Sequence, residues 1–155
     1  MSQFETSPGG SWIASAGQKE PIPMRIVTLG DQPREEWRAG VETRMHVSAC
    51  NGTTQLCIFE PWVVPTAGAP THRHPVEKVL TVITGEAEMW IGKASIILSG
   101  GQSLIVPAGQ NHGFRNVGSA MLHIHAVLAF SIFEATFDGS AEPVRRWLPR
   151  SADSD

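Results

Sequence analysis

Between Lys78 and Phe130 the chain is cut into short segments, each closed by glycine or proline. The segments are Lys78–Thr84, Glu86–Ile91, Ala94–Leu98, Ser103–Val106, Gly113–Asn116 and Leu122–Phe130; Gly85, Gly92, Gly100-Gly101, Pro107-Ala108-Gly109 and Gly118 punctuate them. Strands of this length joined by tight turns pack as an antiparallel sandwich or barrel. Upstream, Asn51-Gly52 separates Thr43–Cys50 from Thr53–Val63 and predicts a hairpin, because both residues accept the positive φ of a tight turn. A two-residue turn would set Cys50 opposite Thr53 and His46 opposite Cys57. The two cysteines then share a face without facing each other, and no bridge is expected.

Composition narrows the class further. With 155 residues there is room for one domain and a sizeable core. Charged residues make up 17% against 41% hydrophobic, which argues against a disordered chain or a coiled coil. Twelve Lys and Arg against 15 Asp and Glu give a net charge of −3, and no basic stripe stands out, so no nucleic-acid partner is expected. Two cysteines make no disulfide framework. The opening MSQFETSPGGSWIASAG lacks the basic start and apolar run of a signal peptide. Residues 120–137, the most apolar region, are interrupted by His123, His125 and Glu134 and read poorly as a membrane span. No membrane partner is expected, and the cytoplasm is the default location.

Three regions follow. Residues 1–23 read as a flexible arm, with Trp12-Ile13 able to dock; residues 24–137 form the β-barrel domain; residues 138–155 form a loop, a short Pro143–Leu148 helix and a polar tail. Arg145, Arg146 and Arg150 are read as surface charges. Asp31, Pro33 and Gly40 bound one short helical turn around Glu35-Glu36-Trp37.

The chemistry-bearing residues are histidines. His72 and His74 flank Arg73, and on an extended chain side chains two apart share a face, so both imidazoles can reach one metal ion. His112 follows the Pro107-Ala108-Gly109 turn, which re-aims the strand. The pattern resembles the cupin superfamily, in its small single-domain form. Gly101, Pro107, Gly109, His112 and Asn116 match its second motif in full; His72, His74 and Gly85 match the first. Two positions depart from the family: Thr66 stands where the first glycine is expected, and Lys78 where a ligating glutamate is usual.

The resemblance implies an all-β fold, an antiparallel double-stranded β-helix or jelly-roll barrel. It also implies a divalent transition metal (Zn, Fe, Ni or Cu) on His72, His74 and His112, since some similar proteins use three histidines without a carboxylate. It implies a homodimer and a small-molecule ligand or substrate. The expected function is a metal-dependent enzyme of dioxygenase, isomerase or lyase type. The alternative is a non-catalytic binding protein, metal-free or with a vestigial site.

Lys78 is the residue hardest to place. An ammonium about 4 Å from a divalent ion costs roughly 4 kcal/mol per ion charge at an effective dielectric near 20, which can exceed what one ligand adds. Lys78 can swing out, lose its proton through burial, pair with an anionic substrate as a binding or catalytic group, or replace the metal. A one-residue bulge could instead turn Glu77 inward as a ligand. Other polar residues have plainer readings. Leu122, Ile124, Leu128 and Phe130 form the apolar face of their strand, which puts His123 and His125 outward or in a subunit contact. His46 and Cys57 read as strand neighbours, and Asn116 as a turn residue that satisfies backbone groups.

Overall fold

The computed structural model describes residues 21–151. Within them the chain forms β1 (Arg34–Arg38), β2 (Val41–Val47), β3 (Cys57–Val63), β4 (Gly68–Arg73), β5 (Lys78–Thr84) and β6 (Glu86–Ile91). It continues through β7 (Ala94–Ser99), β8 (Ser103–Val106), β9 (His112–Asn116), β10 (Leu122–Leu128), β11 (Phe133–Phe137) and β12 (Val144–Arg146). Two six-stranded antiparallel sheets result, ordered β1-β2-β3-β10-β5-β8 and β12-β11-β4-β9-β6-β7. β10 lies between β3 and β5, and β9 between β4 and β6. These pairings between strands distant in sequence close the sheets into a jelly-roll barrel.

Period-two patterning decides which face is inside. Along β10, Leu122, Ile124, Ala126 and Leu128 are buried while His123 and His125 lie on the opposite face. Ala87, Met89, Phe114, Phe133 and Ala135 of the second sheet close the same core. Burying a side chain such as Ile124 or Leu128 stabilises the fold by about 1.5–3 kcal/mol.

Three local expectations are corrected. Glu35-Glu36-Trp37 is not a helical turn but the middle of β1, paired with β2 through Glu35↔Thr43; the one-turn 3-10 helix is earlier, at Leu29–Asp31. A strand wins because the pairing of its neighbours along β2 sets Trp37 against the core, which an isolated turn could not offer. The β2–β3 hairpin exists, but its connection is longer than two residues. Ser48 caps a 3-10 turn at Ala49–Asn51, accepting from the Cys50 N–H, while Asn51 Oδ1 accepts from the Ser48 N–H at 2.8 Å. Val47 therefore pairs with Ile58, His46 falls in a bulge, and Cys57 lies beside Leu128.

The expected Pro143–Leu148 helix is instead the strand β12, whose Val144–Arg146 pair with β11. Three residues of an open sheet edge give more hydrogen bonds than an isolated helical turn. The segment leading into the histidines, Gly68–Arg73, is the strand β4. A side chain at Gly68 would collide with the backbone of Phe114, so this glycine marks close strand approach rather than a turn. The proposed arm and its Trp12-Ile13 lie outside the described residues, apart from Pro21–Pro23. The tail beyond Ser151 lies outside them as well.

Candidate metal centre

β4 and β9 bring the two histidine segments together, with His72 and His112 as direct cross-strand partners. The bulge between Ala69 and His72 turns the imidazole inward. His74 follows at the end of β4 and is latched by the Pro107–Gly109 turn, whose Gly109 N–H donates to the His74 carbonyl at 2.8 Å. Gly109 has φ +77, which a side chain would disfavour. The ring centroids of His72 and His112 are 4.3 Å apart, and those of His74 and His112 5.3 Å.

Each imidazole has its tautomer set by a backbone carbonyl. Nδ1 of His72 donates to Pro70 at 2.7 Å, Nδ1 of His74 to Glu134 at 2.7 Å, and Nδ1 of His112 to Gln110 at 2.9 Å. Each Nε2 therefore carries a lone pair. One ring nitrogen from each lies within 4.8 Å of the others. The His112 Nε2 is buried with no partner, although a buried polar atom normally has one. All three rings are buried, and burial, followed by the nearby Lys78 charge, holds them neutral. His74 is pushed down to about 2 and His112 to about 4, with His72 depressed strongly as well.

Lys78 points into the same space and is 3% exposed, while Glu77 is exposed. The bulge that would have turned Glu77 inward does not form. Lys78 Nζ donates to His74 Nε2 at 3.2 Å and stands 5.8 Å from the Phe59 ring centroid. Burial, with a further push from the Arg38 charge and a small opposing pull from Cys57, lowers its pKa to about 7. Among the described residues no carboxylate joins the cluster.

Three neutral imidazoles with tethered Nδ1 atoms and converging lone pairs fit a divalent transition metal. The orphaned His112 nitrogen favours an ion there. Lys78 opposes it, because the lone pair it occupies on His74 is one that the metal would need. Beside the cluster a cavity of about 40 Å³ is lined by Trp37, Phe59, Phe133 and Phe137, with His72, Lys78 and Arg38 as its charged or titratable groups.

Other expected residues fall as follows. His123 and His125 lie on the outer face of the first sheet, away from the cluster. His46 is not a partner of Cys57: with His123 it holds Glu60, whose Oε1 accepts from His123 at 2.8 Å and whose Oε2 meets His46 and, at 3.1 Å, Arg44. Asn116 donates to the carbonyls of Val63 and Ala120 and accepts from the Gly118 N–H, fastening a turn. Thr66, at the expected glycine position, has φ +75, the left-handed region that glycine adopts without strain. Arg146 is not a surface charge. Its guanidinium lies 4.1 Å over the Trp37 ring and its Nε is buried without a partner. Sequence reading missed Glu60 and Arg38. Glu60 sits at a strand position with no motif around it. Arg38 lines the cavity only because a bulge after Glu36 breaks the alternation of β1.

Residues 62–128 match the family model of the cupin domain. The chain is similar to an RmlC-like cupin from Shewanella frigidimarina, at 18% identity and TM-score 0.60, covering 69% of this chain and 91% of that one. It is similar to the polyketide cyclase RemF from Streptomyces resistomycificus, at 19% identity and TM-score 0.65, covering 77% and 89%. It also resembles oxalate decarboxylase from Bacillus subtilis, a protein with Mn(II) centres, at 19% identity and TM-score 0.65; that match covers 71% of this chain and 31% of the decarboxylase. At these identities the likeness shows the fold alone. No curated protein matches the sequence.

Proposed function

We propose that this chain, whose residues 62–128 match the family model of the cupin domain, is a metal-dependent enzyme acting on a small molecule inside its barrel. His72, His74 and His112 would hold a divalent transition metal, which when bound supplies a Lewis acid for an oxygen-bearing substrate. The observation that carries this reading is the buried, partnerless Nε2 of His112 facing two more imidazole lone pairs. The chain's own residues do the rest. The carbonyls of Pro70, Glu134 and Gln110 keep each Nδ1 protonated and each ring oriented. The aromatic walls exclude water, and Lys78 Nζ can give a proton to a substrate oxygen when it is an ammonium or take one from a substrate carbon when it is a neutral amine. Dioxygenase, isomerase and lyase chemistry all suit such a site.

The test is elemental analysis of the purified protein beside its His112→Ala variant. Near-stoichiometric transition metal in the first and its loss from the second are expected. Absence of metal, or retention unaffected by His112→Ala, overturns the site. The Lys78–His74 hydrogen bond favours a second reading, a binding protein that needs no metal because Lys78 already occupies the cluster. Full metal-free stability together with ligand binding would support it.

Two broader features belong to the same proposal. A homodimer is supported by the first sheet's outer face, where Ile83 is 45% and Ile105 62% exposed; a place in the cytoplasm is proposed with it. A clean monomer by light scattering would exclude the dimer. No helix among the described residues is long and apolar enough to cross a membrane.

A further inference from the structure

The cavity beside the histidines has cations and no anion to balance them. Lys78, 3% exposed, and Arg38, half-buried, both line it. No aspartate or glutamate lines it. Among the described residues the Arg38 guanidinium has neither a hydrogen bond nor an ion pair, and it makes a cation–π contact with the Phe137 ring, 5.3 Å away. Arg146, stacked on Trp37 next to it, likewise has no carboxylate partner and leaves its Nε buried and unsatisfied. Glu35 on β1 is already engaged by the indole N–H of Trp147 at 2.9 Å. Four other arginines on the molecule find acids. Arg44 pairs with Glu60, Arg34 with Glu42, Arg115 with Glu88 and Arg145 with Glu134.

Placing positive groups against aromatic walls without counter-charges is costly, since buried charges are normally paired. The bulge in β1 is what sets Arg38 there: it lets Trp37 and Arg38 line one cavity although they are consecutive. From this uncompensated arrangement of Arg38 and Lys78 in an apolar cavity, we infer that the cupin barrel takes a small organic carboxylate, its acid group between the two cations. The inference deepens the reading of the barrel as a small-molecule site and rests on it. Arginine suits the task because its planar fork can meet both carboxylate oxygens. Size restricts the ligand as well. About 40 Å³ holds a few water-sized groups, so the enclosed part is the carboxylate and about one further carbon. The rest of any larger molecule must extend out of the cavity. A sugar or nucleotide does not fit inside.

The probe is propionate, titrated calorimetrically into chelator-treated, metal-free protein, with propionamide as its uncharged isostere. Propionate is expected to bind at least about tenfold more tightly than propionamide, and Arg38→Gln to weaken it by about tenfold, with Arg38→Lys in between. Arg115→Gln, on the sheet surface, is expected to leave the affinity within about twofold, as for an exposed pair. Equal binding of the amide, or an Arg38→Gln protein that binds propionate as well as wild type, overturns the carboxylate site. So does the absence of any propionate binding. Because the metal is removed, failure here leaves the histidine site standing. Failure of the His112→Ala metal test likewise leaves the carboxylate result intact.

Discussion

Two histidine clusters sit on opposite faces of the barrel wall and behave as different chemical objects. Outside, His46 and His123 are fastened to Glu60, with Arg44 adding charge to the same carboxylate and His123 stacked 4.9 Å from Trp62. The carboxylate gives every donor a partner. Burial pushes the Glu60 pKa up, but the hydrogen bonds from His46, His123 and Arg44 outweigh it and hold the carboxyl below its ordinary value. Inside, His72, His74 and His112 have no acid at all, only carbonyls behind them and an amine in front. Residue type is the same in both. The partners decide: the outer cluster is satisfied and structural, the inner one is left with lone pairs to share.

The largest expected effect is therefore on the outer face, and it concerns stability. Glu60→Gln removes the one anion among three basic groups and is expected to lower the unfolding free energy by about 3 kcal/mol, read by urea denaturation. Metal content should not change. Loss of metal in Glu60→Gln would break the separation of the two clusters.

Next in size is the response to metal. Zinc at 100 times its Kd is expected to stabilise the wild-type protein by about 2.7 kcal/mol, and His72→Ala to abolish that gain while His123→Ala keeps it. Equal losses in both variants would mean that the clusters are not distinct.

Acid separates them as well. In the metal-free protein His112 has a folded pKa of about 4 against an ordinary 6.5. Between those values the unfolded chain binds the extra proton, so stability falls as pH drops from 6.5 towards 4. Lys78 has the same sign, about 7 folded against 10.5, so stability rises with pH between them. Glu60 has the depressed value of a paired acid. Its contribution is present above its ordinary 4.5 and is lost only as pH falls through its lower folded value. Thermal melts across pH 3–10 are expected to show the inner cluster's loss before the outer one's, and Lys78→Met should flatten the alkaline rise.

The smallest effect is a control that touches neither cluster. Thr66→Gly relieves a left-handed β-branched residue and is expected to add up to about 1 kcal/mol of stability by urea denaturation, with metal binding unchanged.

Much of the inner cluster was legible from sequence because its parts are local. His-x-His on an extended segment and a Pro-x-Gly turn before His112 each dictate their geometry within a few residues. The strands β5, β6 and β8 were readable to the residue for the same reason, their glycines falling at turns. β4 was not, because Gly68 and Pro70 interrupt its strand pattern and Gly68 answers to a backbone brought close by the fold. β12 was hidden in a similar way, since only the edge of β11 makes Val144–Arg146 a strand. The outer cluster was half legible. Alternation along β10 turned His123 and His125 outward, but Glu60 and His46 reach them from β3 and β2 across a bulge that no local pattern announces.

The contrast rests on one claim, that the inner lone pairs take a metal whose affinity Lys78 lowers without abolishing it. Zinc affinity measured by chelator competition in wild type and Lys78→Met tests it directly, because methionine removes the charge without adding an oxygen ligand. The account predicts binding at least about tenfold tighter in Lys78→Met. Unchanged or weaker binding would contradict it and leave the three histidines with no role as a checked metal site.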